Sequence, residues 1–157
     1  MSDKFGWDNN FGNSDAELRT IPVYVYGTLK AGYSNHRYLR RAKFIGPAIS
    51  VDDNYLMQDV GFPVLWQKSD GYDLPELQGQ VVGEVYVVNS QQLANCDRLE
   101  GNGRMYTRQE RQFKITGRGG EVVTAWVYLW NLDRDHDEIA PVDGLLVWDR
   151  EGKRKVA

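Results

Sequence analysis

Apolar positions along this chain fall mainly into short runs with the two-residue period and the β-branched, aromatic content of strands. Residues 21–26 read Ile-Pro-Val-Tyr-Val-Tyr, a strand whose proline stands at its start, where a missing N–H is tolerated. Between 43 and 66 the pattern is strand-like in pieces (44–45, 48–51, 55–57, 62–66), and Gly46, Pro47 and Gly61 between them predict bent or bulged strands rather than one long ribbon. The most strongly β-favouring run is 80–88; Gly83 inside it predicts a bulge or a close approach by another group. Residues 106–116 and 122–130 read as a hairpin around the turn 117–120, with Trp126, Tyr128 and Trp130 on one face. A last apolar patch covers 145–148.

Two stretches carry helical signals. Residues 35–41 predict a short helix capped by Ser34 or Asn35. Residues 91–100 predict a second, capped by Ser90 and stopped at Gly101, with Leu93, Cys96 and Leu99 or Glu100 on one face. The polar segment 67–75 reads as an exposed hairpin loop. Residues 1–20 read as an arm without a core of its own, whose Phe5, Trp7 and Phe11 dock onto the domain or, in the alternative reading, meet a partner; 21–150 is the domain and 151–157 a basic tail. Strands joined mostly by tight turns, with two inserted helices, predict an α+β fold built on a closed or nearly closed sheet rather than on βαβ units.

Composition narrows the classes. At 157 residues the chain suits one domain with a core large enough to need neither disulfides nor metals. Its 41% hydrophobic and 26% charged residues are those of a globular chain, and no apolar run is long enough to span a bilayer, so no membrane partner is expected. The start carries no apolar signal segment, and the one cysteine, Cys96, excludes an intramolecular disulfide; a reducing, cytoplasmic setting follows as the expectation. Cys96 lacks a histidine spaced to activate it. The basic run Arg37, Arg40, Arg41 and Lys43 has no stacking platform beside it, and the net charge is −3, so it reads as a solvated helix face and no nucleic-acid partner is expected. A monomer is the simpler expectation for the assembly.

Several motif readings fail. Acidic residues alternate through 133–138, but Glu138 stands where a calcium loop needs glycine and Gly144 where it needs a bidentate glutamate. Two histidines a hundred positions apart and one cysteine give no zinc spacing, so no metal is expected. The turn 117–120 lacks the Lys-Ser/Thr of a phosphate loop.

Two features remain. Tyr26, Gly27, Thr28 and Leu29 form a turn at a strand's end, whose backbone amides are placed to grip a small anion. Glu100 puts a carboxylate in the last turn of a helix, against the negative end of the macrodipole, which raises the energy of its charged form and its pKa, and exclusion of water by Leu99 and the neighbouring aromatics would push the pKa further the same way. Such a group suits proton transfer near neutral pH; the other reading is a solvated glutamate beside Arg98 and Arg104.

The segments VYVYGTLKAG, NHRYL, GFPVLW, VVGEVYVV and LANCDRLEGNGRMYTR, in that order from residue 23 to 130, resemble the gamma-glutamylcyclotransferase-like superfamily, most closely its gamma-glutamylamine cyclotransferase branch. The resemblance implies a small mixed β-barrel of about six to seven strands with short flanking helices, no metal and no cofactor. It implies that Tyr26, Gly27, Thr28 and Leu29 hold the α-carboxylate and α-amine of a gamma-glutamyl substrate. Glu100 is then the catalytic acid/base, with Tyr106 and, from the next strand, Tyr128 lining the same pocket. The implied reaction is attack of the substrate's own amine on its γ-carbonyl, releasing 5-oxoproline and a free amine such as the ε-amine of lysine. A binding module on the same fold, without turnover, is the competing reading, and removal of a gamma-glutamyl protecting group from a biosynthetic intermediate is a third. Leu99 stands where the family often has phenylalanine, and 101–105 is glycine-rich, so the leaving-amine side is where specificity departs.

Overall fold

The computed structural model describes residues 19–67, 75–132 and 137–149. Strand β1 (Ile21–Val25) lies between β5 (Gln80–Val88) and β7 (Val122–Trp130). It pairs antiparallel to β5 along its whole length, from Ile21 opposite Val88 to Val25 opposite Glu84, and parallel to β7 at Val23 opposite Trp126. β6 (Tyr106–Ile115) then pairs with β7 and with β2 (Lys43–Ser50), and β2 returns to β5. The ring β1-β7-β6-β2-β5 is therefore closed, and no strand in it keeps a free edge.

Alternation along β1 divides the core in two. Tyr24 points into the barrel, where it meets Ala48, Val81, Val85, Phe113, Ile115 and Val127. Its ring stacks on Phe113 with centroids 3.7 Å apart, and its hydroxyl donates to Val81 O at 2.8 Å and to Ala48 O at 3.1 Å. Val23 and Val25 point outward into a second core with Leu39, Tyr86, Val88, Cys96, Tyr106 and Tyr128, under the helix α1 (Ser90–Glu100). Gly83 is where β1 and β5 come nearest: a Cβ there would stand 2.2 Å from Val25 O and 2.8 Å from Tyr24 Cζ. Close approach is thus the reason for this glycine, and the bulge lies elsewhere, between Phe44 and Gly46 of β2.

The α+β barrel anticipated from sequence is present, but its closed ring has five strands. β3 (Tyr55–Asp59), β4 (Pro63–Gln67) and β8 (Asp137–Glu138) form a separate sheet in the order β4-β3-β8, and β9 (Leu145–Leu146) adds in parallel to β5. The fragments 44–45 and 48–51 are one strand, because the bulge absorbs the interruption at Gly46. The predicted helix at 35–41 is a single 3₁₀ turn, His36–Leu39, with no side-chain cap. Asn35 is unavailable as a cap because its amide donates to Thr28 Oγ1 at 2.9 Å. The cap of α1 is Asn89, one residue before the predicted Ser90. Asn89 Oδ1 accepts from Gln92 N at 2.7 Å and Gln92 Oε1 from Asn89 N at 2.9 Å, and Gln at that position is what makes the reciprocal box possible. Gly101 ends the helix in the left-handed region, φ 61°. Among the described residues, no helix is long and apolar enough to cross a membrane. The arm at 1–18, the loop at 68–74, the acidic stretch 133–136 and the tail from 150 lie outside the described residues.

Candidate active site

The turn after β1 is held by its own carbonyls. Gly27 O accepts from Lys30 N at 3.0 Å, Thr28 O from Asn35 N at 2.9 Å, and Leu29 O contacts His36 Nδ1 at 3.0 Å. The N–H groups of Gly27, Thr28 and Leu29 donate to no acceptor among the described residues. Three donors at one strand end form a concavity suited to a carboxylate. Gly27 is required by contact rather than by φ, since a Cβ would fall 2.5 Å from Pro63 Cγ. The far side of the turn is anchored by Lys30, a buried lysine whose Nζ donates to Trp148 O at 2.6 Å and lies 5.1 Å from the centre of the Tyr33 ring.

Helix α1 brings the other half. Its capping box fixes the start and Gly101 the end, so Glu100 is delivered at the rim of the second core. One cavity of about 350 Å³ is lined by Tyr26, Gly27, Thr28 and Leu29 on one side and by Glu100, Tyr106 and Tyr128 on the other. The seven residues singled out from the sequence meet there, together with the apolar Phe62, Pro63, Leu99 and Met105.

Burial pushes the Glu100 carboxyl up to about 7. Of the two causes expected from the sequence, removal from water is the one that acts here. Burial of Glu100 is at odds with the reading of a solvated glutamate, and among the described residues neither Arg98 nor Arg104 pairs with it.

The tyrosines serve differently from a row of free hydroxyls. Tyr26 donates to Tyr128 O at 2.8 Å, Tyr106 to Pro63 O at 3.1 Å and Tyr128 to Asp97 Oδ1 at 2.6 Å. Burial raises all three phenols above their ordinary value, so they stay neutral at physiological pH. With each phenol proton committed, the donors on this cavity include the turn's amides and the hydroxyls of Thr28 and Ser34. Cys96 is buried, and burial pushes its thiol up to about 12, which removes it as a nucleophile at neutral pH. No cluster of three His, Cys, Asp or Glu side chains suited to a metal occurs among the described residues.

Sequence reasoning missed Asp97. Its carboxylate accepts a hydrogen bond from the Tyr128 hydroxyl and two from Arg108, at 2.9 and 3.1 Å. Arg108 in turn lies 4.3 Å over the Trp126 ring, and its N–H donates to Asn102 Oδ1 at 2.8 Å. This network ties the end of α1, and with it Glu100, to β6 and β7. The only prior signal was an acidic residue one helical turn ahead of Glu100. Asp97→Ala is expected to lower the free energy of unfolding by about 2–3 kcal/mol, because it strands a half-buried guanidinium and a buried phenol. A shift of the urea midpoint at unchanged slope would report it.

A closed barrel with a protonatable carboxyl and a turn of unpaired amides lining one cavity has the parts of a small acid–base enzyme. The family described as gamma-glutamyl cyclotransferase, AIG2-like, matches residues 23–149, and the chain belongs to that family. Over 143 residues it is 34% identical to the gamma-glutamylaminecyclotransferase of Bos taurus, covering 80% of this chain and 81% of the relative. The gamma-L-glutamyl-butirosin B gamma-glutamyl cyclotransferase of Niallia circulans is 30% identical over 115 residues, covering 71% and 67%. Among solved structures, an AIG2-like protein from Mus musculus superposes with a TM-score of 0.59 at 26% identity, over 85% of this chain and 98% of that one.

Proposed function

We propose that this enzyme converts a gamma-glutamyl amine, such as gamma-glutamyl-ε-lysine, to 5-oxoproline and the free amine, with Glu100 moving the protons. The observation that carries the reading is the pairing, across one cavity, of a carboxyl raised to about 7 with a turn of open amides. The amides of Gly27, Thr28 and Leu29 hold the substrate's α-carboxylate. Ionised Glu100 takes a proton from the α-ammonium, and the freed amine attacks the γ-carbonyl carbon, forming the ring C–N bond and an oxyanion. As the oxyanion collapses, the bond to the departing nitrogen breaks and Glu100 returns the proton to it; the ring nitrogen, left with one hydrogen too many, passes that proton to the released amine, which departs as an ammonium ion, and Glu100 ends ionised as it began. Most of the acceleration is orientation: the substrate is folded so that its two ends meet.

The leaving-amine side bears on the substrate class. Phe62, Leu99 and Met105 add an apolar wall to the cavity, and an apolar wall on that side would suit the aliphatic chain of an alkyl amine. The aminoglycoside-type amine in the name of the Niallia circulans relative is a second reading, and that lining disfavours it. A reducing, cytoplasmic setting accords with a lone buried thiol.

Incubation with gamma-glutamyl-ε-lysine, other gamma-glutamyl amines and gamma-glutamyl dipeptides, with 5-oxoproline measured as product, tests the reading. Release fastest from an alkyl amine supports it. Binding without release from any of them would make the protein a binding module. Gly27→Ala tests the carboxylate grip separately: pushing the turn off Pro63 is expected to cost about tenfold to a hundredfold in kcat/KM, chiefly through KM.

A further inference from the structure

A second depression, of about 440 Å³, lies between the 3₁₀ turn His36–Leu39 and helix α1, lined by Arg37, Tyr38, Arg40, Arg41, Gln92 and Asn95. The sequence reading of these arginines was a solvated helix face. The structure differs in two respects. A 3₁₀ repeat of three residues sets Arg37 and Arg40 along one edge, and the wall opposite them is made of amides rather than carboxylates.

Those amides have a fixed sense. Gln92 Oε1 accepts from Asn89 N at 2.9 Å in the capping box, and Asn95 Oδ1 accepts from Gln91 Nε2 at 3.1 Å and from Arg98. With both carbonyl oxygens engaged along the helix, each side chain has its NH₂ group left to donate. Arg37 is steadied by a 2.9 Å bond to Ser34 O and lies 5.1 Å from the centre of the Tyr38 ring. Among the described residues, Arg37, Arg40 and Arg41 have no carboxylate partner. Three arginines and two amide side chains therefore line a groove that has no carboxylate among its described lining residues, in a chain whose net charge is −3.

We propose that this groove binds a phosphoryl group, held by the forks of Arg40 and Arg41 and by the Gln92 and Asn95 amides. Planar guanidinium forks match tetrahedral oxyanions in pairs of parallel hydrogen bonds, and fixed amide donors complete the shell. The site is separate from the catalytic cavity, since no residue lines both. It is nevertheless close along the chain: Ser34 and Asn35 line the catalytic cavity and Arg37 begins the groove. An occupant would thus sit behind the turn that grips the substrate.

Calorimetric titration of the full chain with pyrophosphate, in about 0.15 M chloride to screen weak surface attraction, is expected to show one saturable site. Arg40→Gln with Arg41→Gln is expected to weaken it by about tenfold or more, without change in the thermal midpoint, because both side chains are exposed. Gln92→Glu is the complementary variant. It preserves the capping box, because a carboxylate oxygen accepts the Asn89 N–H as well, but it puts a negative charge on the groove wall, and it too is expected to weaken binding by about tenfold. Inorganic phosphate and phosphoserine, titrated in parallel, distinguish a free oxyanion from one carried on an organic molecule. Heats that do not saturate, or that acetate reproduces, overturn the proposal. So does pyrophosphate binding unchanged in both variants, which would put the anion on the amides of Gly27, Thr28 and Leu29.

Discussion

Glu100→Gln is expected to lower kcat for 5-oxoproline release by about 10³-fold, within the range for loss of a general acid–base, and at the same time to make the protein more stable. The two effects share one cause. Burial has raised the folded-state pKa to about 7 from an ordinary value of 4.5. Below the unfolded pKa the carboxyl is neutral in both states and there is no penalty. As pH rises through the window from 4.5 to about 7, the unfolded chain releases the proton first, and folding becomes less favourable; above it the penalty is constant. Glutamine never ionises, so the variant's advantage is expected to be absent near pH 4, to grow through that window, and to level at on the order of 3 kcal/mol. Urea midpoints measured at pH 4, 6 and 8 would show the growth.

Activity has the opposite pH dependence. Only ionised Glu100 can accept a proton, so kcat/KM of the wild type is expected to fall as pH is lowered through about 7. Turnover unaffected by the substitution would sink the mechanism outright. Loss of turnover without a pH-dependent gain in stability would mean that the carboxylate is not held at an energetic cost. Phosphate binding at the arginine groove should survive in this variant, so the two proposals fail independently.

Why was so much of the site legible beforehand? The turn at 26–29 and the carboxylate at 100 both depend on local chemistry: a strand breaking at a glycine, and a charge at the wrong end of a helix. What the sequence could not show was their meeting, because it depends on a parallel contact between Val23 and Trp126 that closes the ring across more than half the chain. Exclusion of water from Glu100 could be read from Leu99 and the nearby aromatics, but not all of the groups that exclude it. The apolar walls near it include Phe62 and Pro63, which no local pattern links to residue 100. Asp97 stayed invisible because its partners, Tyr128 and Arg108, are brought to it by two strands that follow the helix. The 3₁₀ turn at His36–Leu39 shows tertiary demand winning over propensity: Asn35, the predicted cap, is needed to brace Thr28.

Gly83→Ala is expected to produce the largest loss of stability of any single methyl added to this chain. Gly83 has no positive φ, so its backbone is one that alanine adopts freely, and the constraint is one of space alone. The added Cβ would stand 2.2 Å from Val25 O, 2.8 Å from Tyr24 Cζ and 2.9 Å from Tyr24 Oη. Backbone oxygen cannot swing aside as a side chain can, so β1 must move off β5 along the seam that closes the barrel. Moving it also disturbs the Tyr24 phenol, with its two bonds across the barrel and its stack on Phe113. Overpacking of this kind, with buried hydrogen bonds lost as well, costs about 4 kcal/mol or more. Gly103→Ala provides the contrast: its φ of 95° strains alanine, but open space surrounds it. There the expected cost is about 1 kcal/mol. Urea unfolding followed by tryptophan fluorescence should rank the two, with Gly83→Ala far lower or unable to fold. The consequence reaches the site, because β1 ends in the turn that carries Gly27, Thr28 and Leu29. If Gly83→Ala folds at all, its KM should rise with Glu100 untouched, since the grip on the substrate will have shifted relative to the carboxyl. An unfolding free energy within about 0.5 kcal/mol of wild type would show that β1 and β5 do not meet at Gly83 in solution.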